Sequence, residues 1–476
     1  MTDLALTSSL AMAATHPDPA FPRFHPRPAQ GWINDPNGIS YINGRYHVFF
    51  QYNPDSARHS QIQWGHVSSA DLVHWEEHPV ALSPQPGGPD SAGCWTGVVT
   101  LDEGVPTACY SGIKDHGGHS QVVIARGSSD LVTWKQDGHV AASMPADPLV
   151  TAVRDPFIFH FNGARYAMQG AGLSDGRAAL LLYTVDSLDD WHYQGIWLTT
   201  ADPVAAAHTP AEIWECPQLV QVPVSSGGSA SSGGSTWVMM FSLWLSGDDH
   251  EHANGVGHLI GSLTADPLTG LPVFTPSSGG KSDLGRDFYA PQMVQLSYAS
   301  AGSAPGSAPA ALLWGWANEG PGRDGRRGRT QEEIDDAGWS GVLTHPRVVS
   351  VADGALVISP APEIPAYRGG SLAVGTVGSV SLPAFTEVLV KGGPSAPDAG
   401  AVELMLGSGA DAQVVFCGSI AAGEELRIFI DASLVEVYRT GSVATTLRAY
   451  PAPGEQWQLT VPVGATANAW ELSLPA

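Results

Sequence analysis

Trp32-Ile33-Asn34-Asp35-Pro36-Asn37-Gly38 leads into Tyr41-Ile42-Asn43-Gly44-Arg45-Tyr46-His47, and the second of these stretches decides the fold class. Asn-Gly between alternating apolar residues is the strongest short-range hairpin signal, because both residues accept the positive φ that a tight turn between twisted strands requires. Phe161-Asn162-Gly163-Ala164-Arg165-Tyr166 repeats the pattern. Around these hairpins, short runs of Val, Ile, Tyr, Phe and Trp alternate with Gly, Pro, Asn and Asp clusters. Helical periodicity is scarce, so the chain reads as all-β.

A second element recurs as Ser69-Ala70-Asp71-Leu72-Val73-His74-Trp75, then Ser129-Asp130-Leu131-Val132-Thr133-Trp134, then Ser187-Leu188-Asp189-Asp190-Trp191, and its three Trp residues read as structural. Polar clusters that open strands form a third register: Asn34-Asp35, Trp95-Thr96, Arg154-Asp155 and Glu215-Cys216, with Asp287-Phe288-Tyr289-Ala290 following after a longer gap. The period of about 60 residues, several strands per repeat, is that of units that bury their faces only against one another. Five openings imply a five-bladed β-propeller. In that architecture the starts of the innermost strands converge on one end of a central channel, which brings Asp35, Asp155 and Glu215 together.

The low-complexity run Ser225 to Ser235 and the Ala/Gly/Ser/Pro-rich run Ala299 to Ala310 are expected to be a flexible loop and a surface insertion. After about residue 347 shorter alternating runs take over, such as Leu426-Arg427-Ile428-Phe429-Ile430 and Leu434-Val435-Glu436-Val437-Tyr438. The expected division is a propeller over 1–347 and a β-sandwich over 348–476.

Composition bounds the partners. A formal charge of -24, from 46 acidic and 22 basic residues in 476, repels nucleic acid and anionic membrane surfaces. No stretch is long and apolar enough to span a bilayer. Cys94, Cys109, Cys216 and Cys417 lack CxxC spacing and read as free thiols. The first twenty residues contain no Lys or Arg, which reads as a chain without a secretory leader and so as cytoplasmic. No cofactor and no metal site is expected; His250-Glu251-His252 reads as a polar loop.

Taken singly, Asn34-Asp35-Pro36-Asn37-Gly38 is also what an Asx turn is made of, and Arg154-Asp155-Pro156 and Glu215-Cys216-Pro217 could be ordinary strand-entry acids. Their shared register favours chemistry, because three acids crowded at one axial pocket serve no packing need. A retaining glycosidase uses one ionised carboxylate as nucleophile and a second as acid, then base, about 5 Å apart. Mutual repulsion raises at least one of their pKa values, while Arg154 can hold one neighbour ionised. Trp32, Trp64, Trp95, Trp214, Trp314 and Trp316 could stack on a sugar or fill the core.

Together these motifs resemble glycoside hydrolase family 32, the invertases, inulinases, levanases and related fructan hydrolases. The likeness extends through Gln51-Tyr52-Asn53-Pro54, Trp64-Gly65-His66, Cys94-Trp95-Thr96-Gly97, Asp283 through Gln292, Gly338-Trp339-Ser340-Gly341 and Ser433 through Tyr438. The resemblance implies a five-bladed propeller plus sandwich, with Asp35 as nucleophile, Glu215 as acid/base and Asp155 holding the fructosyl hydroxyls. It implies that Asn34, Gln51, Trp64, Trp95, Thr96 and Arg154 line the fructose subsite, and Tyr289 and Trp316 are further candidates for it. Where the family often has Phe-Ser-Gly, this chain has Trp95-Thr96-Gly97. The expected activity is exo-hydrolysis of terminal β-fructosyl units from sucrose and short oligosaccharides, by a monomer or homo-oligomer. Transfer to sugar acceptors, inulin- or levan-type substrates and phosphorylated sucrose are the alternatives, and a non-catalytic binding module would lack one of the acids. Arg323, Arg326, Arg327 and Arg329 form a dense basic run, read as a solvated loop.

Overall fold

The computed structural model describes residues 9–475 except 116–118, 227–228, 248–252, 297–309, 320–321, 323, 375–378, 394–400 and 410–411. Residues 299–309 of the Ala/Gly/Ser/Pro-rich run, His250-Glu251-His252 and Arg323 therefore lie outside the described residues.

Four antiparallel meanders follow one another. They are β1 (Gly31–Ile42), β2 (Arg45–Asn53), β3 (Gln63–Ser69) and β4 (Trp75–Leu82); β5 (Gly93–Asp102), β6 (Val105–Ile113), β7 (Gln121–Gly127) and β8 (Trp134–Ala142); β9 (Val150–Phe161), β10 (Ala164–Leu173), β11 (Ala178–Ser187) and β12 (Asp190–Thr199); and β13 (Ile213–Ser226), β14 (Ser229–Trp244), β15 (Ala253–Ala265) and β16 (Pro272–Lys281). The next strands are β17 (Phe288–Leu296) and β18 (Ala310–Ala317), then the short β19 (Trp339–Ser340) and β20 (Val342–Leu343), then β21 (Arg347–Ala352) and β22 (Ala355–Pro360). β17, β18, β21 and β22 pair antiparallel in turn, β21 also touches β13, and β19 returns to pair with β1.

The turns follow the local chemistry. Asn43 and Gly44 (φ 53° and 77°) close β1 onto β2, and Asn162 and Gly163 (φ 49° and 81°) close β9 onto β10. The repeated Trp element is also one structure used more than once: Leu72 and Leu131 both sit at positive φ (64° and 61°). Trp134 and Trp191 each donate their indole N–H to the carbonyl three residues back, Leu131 O and Leu188 O.

β1, β5, β9, β13 and β17 open the five groups, each packs against the next, and β17 packs against β1. Their later residues, including Val98, Phe157, Leu219 and Met293, line an apolar cavity of about 530 Å³ that holds none of the three acids.

Beyond Pro360 two further sheets form. One is built around Phe385–Lys391, Glu425–Asp431 and Leu434–Arg439, the other around Ala401–Leu406 and Trp457–Thr460. Val388 and Ile428 from the first share a core with Leu404 and Leu459 from the second. The 347/348 boundary expected from sequence falls inside the β17–β22 sheet, because β21 hydrogen-bonds to β18 and the change of sheet comes after Pro360.

Two further expectations are corrected. The Ser/Gly-rich run is not a free loop in its described part: Val224 pairs with Gly234 and Ser226 with Ser229, extending the β13–β14 hairpin. Backbone donors and acceptors continue a ladder once flanking strands set its register, whatever the side chains. Nor is the basic run solvated throughout: Arg327 is exposed, but the Arg326 and Arg329 side chains are buried. Arg326 is buried against Asp287 Oδ2 (2.6 Å) and the Arg448 carbonyl, Arg327 pairs with Glu455 (2.6 Å), and Arg329 pairs with Glu319 (3.1 Å). These arginines join the two halves of the molecule, in company with Arg347, which binds Asp283 (2.8 Å) and Glu436 (3.3 Å). Of the acidic partners, Asp287, Asp283, Glu436 and Glu455 lie far away in sequence, where charge-run reading does not reach. Cys94, Cys109 and Cys216 are buried free thiols and Cys417 is an exposed one.

Candidate active site

Each of the five opening strands carries a β-bulge at the same place. Asn34-Asp35, Trp95-Thr96, Asp155-Pro156, Cys216-Pro217 and Ala290-Pro291 each oppose a single residue of the second strand: Gln51, Ser111, Gln169, Phe241 and Gly315. A bulge turns the strand and re-aims its side chains, and five of them here face one another. Asp155, Cys216 and Ala290 take positive φ (59°, 49° and 49°), a conformation that costs energy in a non-glycine residue. Each freed N–H is held by a side chain of the preceding sheet: Asp155 N by Ser111 Oγ (2.8 Å), Cys216 N by Asp155 Oδ2 (2.9 Å) and Ala290 N by Ser242 Oγ (2.9 Å).

The acids converge, but not from equivalent positions. Glu215 is the residue before its bulge, Asp155 the first bulge residue and Asp35 the second. The 60-residue register finds the neighbourhood; the one-residue offsets give the three carboxyls different directions, which identical positions would not.

Asp35 Oδ2 accepts from the Thr96 hydroxyl (2.5 Å), Gln51 Nε2 (3.1 Å) and the Cys216 thiol (3.5 Å), and Oδ1 accepts from Asn34 Nδ2 (3.1 Å). Burial pushes its pKa up to about 6; the Thr96 hydrogen bond pulls it down and the Glu215 charge pushes it up. The same Cys216 sulfur lies 3.7 Å from Asp155 Oδ2, so one thiol is wedged between two acids. Burial, then Glu215 and Asp35, raise the Asp155 carboxyl far above the usual carboxylate range, against the lowering effect of Arg154.

Glu215 is gripped from both sides, by Arg154 Nε at Oε1 (2.7 Å) and by the Tyr289 hydroxyl at Oε2 (2.6 Å). The carboxylate that Arg154 holds is thus Glu215. Tyr289, the residue before the fifth bulge, occupies the same strand position as Glu215 and Arg154 do in theirs.

Of the other expected residues, Asn34, Gln51 and Thr96 contact Asp35 directly. Trp32, Tyr289, Trp316 and the partly exposed Trp95 form one aromatic cluster beside the acids. Trp64 is different: it has no exposed surface, packs with Phe49 and Tyr110, and supports the site from behind through its indole N–H to the Trp95 carbonyl (3.0 Å). Sequence reading missed Cys216, Ser111 and Ser242. Cys216 stood inside the quoted Glu215-Cys216-Pro217, whereas nothing local marks the two serines. Among the described residues no group of three or more His, Cys, Asp or Glu side chains is arranged to hold a metal ion.

Residues 25–360 match the profile described as the glycosyl hydrolases family 32 N-terminal domain. The chain is 30% identical over 379 residues to the raffinose invertase of Escherichia coli, covering 77% of this chain and 70% of that protein. It is 30% identical over 363 residues to a sucrose-6-phosphate hydrolase of Zymomonas mobilis, covering 73% and 63% of the two chains. Among solved structures, a family 32 β-fructofuranosidase of Bombyx mori superposes with a TM-score of 0.75 at 22% identity over 98% of this chain and 97% of that one. Fructan 1-exohydrolase IIa of Cichorium intybus gives 0.74 at 21% identity over 96% and 98%.

Proposed function

This chain belongs to glycosyl hydrolase family 32, and from that premise we propose that it is a retaining, exo-acting β-fructofuranosidase that hydrolyses terminal β-D-fructofuranosyl residues of sucrose and short fructo-oligosaccharides. The observation that carries the reading is the convergence of Asp35, Asp155 and Glu215 from the bulges of three different strands around one buried thiol, with Arg154 and Tyr289 on Glu215 alone. The mutually packed β1, β5, β9, β13 and β17 support a five-bladed propeller, and the two sheets after Pro360 a sandwich domain.

In this mechanism Glu215 gives a proton to the glycosidic oxygen while Asp35 attacks the anomeric carbon, forming a fructosyl ester and releasing the aglycone. Glu215, now a carboxylate held by Arg154 and Tyr289, takes a proton from water as that water attacks the ester, which frees β-fructose and regenerates Asp35. Asp155 binds fructosyl hydroxyls and stabilises the charge that develops on the ring. Asn34, Gln51, Thr96, Arg154, Trp95, Tyr289 and Trp316 line the fructosyl subsite, with Trp64 buttressing Trp95.

Phosphorylated sucrose is the weaker substrate in this reading, because Arg326, Arg327 and Arg329 are each committed to carboxylates and a dianion would enter a site of three acids. The test is kcat/KM for sucrose, sucrose 6-phosphate, a short fructo-oligosaccharide and levan under one set of conditions, with first products identified. Free fructose should appear first, and sucrose and the short oligosaccharide should lead. Preference for the phosphorylated sugar, or early long oligosaccharides from levan, would overturn it.

A further inference from the structure

The donors around Asp35 form a chain with a single direction. An indole N–H can only donate, and Trp32 Nε1 donates to Asn34 Oδ1 (2.9 Å). An amide's two ends are alike in shape, so this contact chooses the orientation of Asn34, whose Nδ2 then donates to Asp35 Oδ1 (3.1 Å) and Gln51 Oε1 (3.0 Å). Gln51 is oriented in turn: its Nε2 donates to Asp35 Oδ2 (3.1 Å) and to Thr96 Oγ1 (2.7 Å). With that lone pair occupied, the one hydroxyl hydrogen of Thr96 is directed to Asp35 Oδ2 (2.5 Å). Reversing Asn34 would set its oxygen against the carboxylate and its amino group against the indole N–H, so every link depends on Trp32.

The charges near Asp35 make these neutral donors count. From β9 and β13 it faces Asp155 and Glu215, carboxyls that repel it when ionised, and from β13 the Cys216 thiol, a weak donor. The Arg154 guanidinium and the Tyr289 hydroxyl are spent on Glu215. Hydrogen bonds to the charged form are therefore what offsets burial and repulsion, and Thr96 supplies the shortest of them.

We infer that Trp32, Asn34, Gln51 and Thr96 form a one-way hydrogen-bond relay that holds Asp35 as a carboxylate, with Trp32 and Thr96 as positioning residues at its two ends. The inference rests on Asp35 being the nucleophile. It gives Thr96 a role beyond lining the subsite: its β-branched side chain has a stiff χ1, so the hydroxyl is fixed where the relay needs it. It also gives Trp32 a role that does not require contact with sugar.

The test uses the full-length protein with Thr96→Val, which keeps the shape and removes the hydroxyl; Thr96→Ser, which restores it; and Trp32→Phe, which keeps a ring and removes the N–H. Two quantities are read for each: the midpoint of the Asp35 carboxyl titration, from infrared or carbon-13 NMR differences against Asp35→Asn, and the acid limb of kcat/KM on sucrose. Losing a donor to the charged form raises the pKa, so Thr96→Val should move both midpoints up by about one pH unit, with an extra loss of about tenfold on the acid side that disappears at high pH. Thr96→Ser should return both midpoints to near the parent values, and Trp32→Phe should move them up by less. An unmoved carboxyl midpoint in Thr96→Val overturns the relay. A Trp32→Phe variant that changes KM equally at all pH values with neither midpoint moved removes Trp32 from it and assigns the indole to sugar stacking. A carboxyl midpoint that moves while the kinetic limb stays put keeps the relay and sinks Asp35 as the nucleophile.

Discussion

Replacing Asp35 with Asn should destroy activity and, above about pH 6, stabilise the fold. The carboxyl is raised from 3.8 to about 6, chiefly by burial. A carboxyl raised by folding stabilises the native state only while protonated: the benefit is full below its unfolded pKa and lost as pH climbs through the folded value. That rise from 3.8 to about 6 corresponds to about 3 kcal/mol of strain carried at pH 8, which Asp35→Asn removes. Against this stands one poor contact. An Asn oxygen can keep the bonds from Thr96, Gln51 and Cys216, but its amino group then faces Asn34 Nδ2, the donor now on Oδ1, which costs about 1 kcal/mol. The net gain is about 2 kcal/mol at pH 8, falling to nothing and then reversing as pH drops below 5. Thermal unfolding of parent and variant from pH 4.5 to 8 should show Tm values that diverge by a few degrees as pH rises. Sucrose turnover should fall by several orders of magnitude throughout. A Tm difference independent of pH, or a variant less stable at pH 8 than the parent, would refute the argument that burial is what strains Asp35.

Tyr289→Phe removes one of the two donors on Glu215 while leaving the ring; kcat on sucrose should drop about tenfold or more with circular dichroism unchanged, and an unaltered kcat would exclude Tyr289 from the acid/base machinery. Arg347→Met leaves Asp283 buried without its cation and Glu436 with only His25 (3.6 Å), a loss of about 3–5 kcal/mol that a lowered Tm would register and an unchanged Tm would contradict. NMR during early turnover should show β-fructose as the first anomer, and prolonged chelator treatment should leave the rate unchanged; α-fructose first would require an inverting arrangement.

Much of this could be read locally. Asn43-Gly44 and Asn162-Gly163 closed the hairpins expected of them because turn conformation depends on the two residues that adopt it. The repeated Asp-Leu element became the same structure twice over, with Leu72 and Leu131 both at positive φ. The three acids stood out because chain spacing in a repeat reports position along a strand, and so which strand ends can meet.

What spacing could not report was direction. Whether Glu215 stands before its bulge, with Asp155 and Asp35 at the first and second positions of theirs, depends on the pairing of Glu215 with Ser242, Arg154 with Gly170 and Pro36 with Phe50 in neighbouring strands, and one residue of slip re-aims a side chain. Burial was equally hidden: the Trp64 that suited a sugar became a buttress, and Arg326 and Arg329, which read as solvated, became buried partners of Asp287 and Glu319. The sequence by itself determined the turns and strands, from residues a few positions apart, and the repeat and its three candidate acids, from their spacing of about 60 residues. Only the tertiary structure decided which carboxylate Arg154 neutralises and that Gln51, Thr96 and Cys216 hold Asp35, because those contacts join residues 16 to 181 positions apart on separate strands and exist only once the sheets have packed.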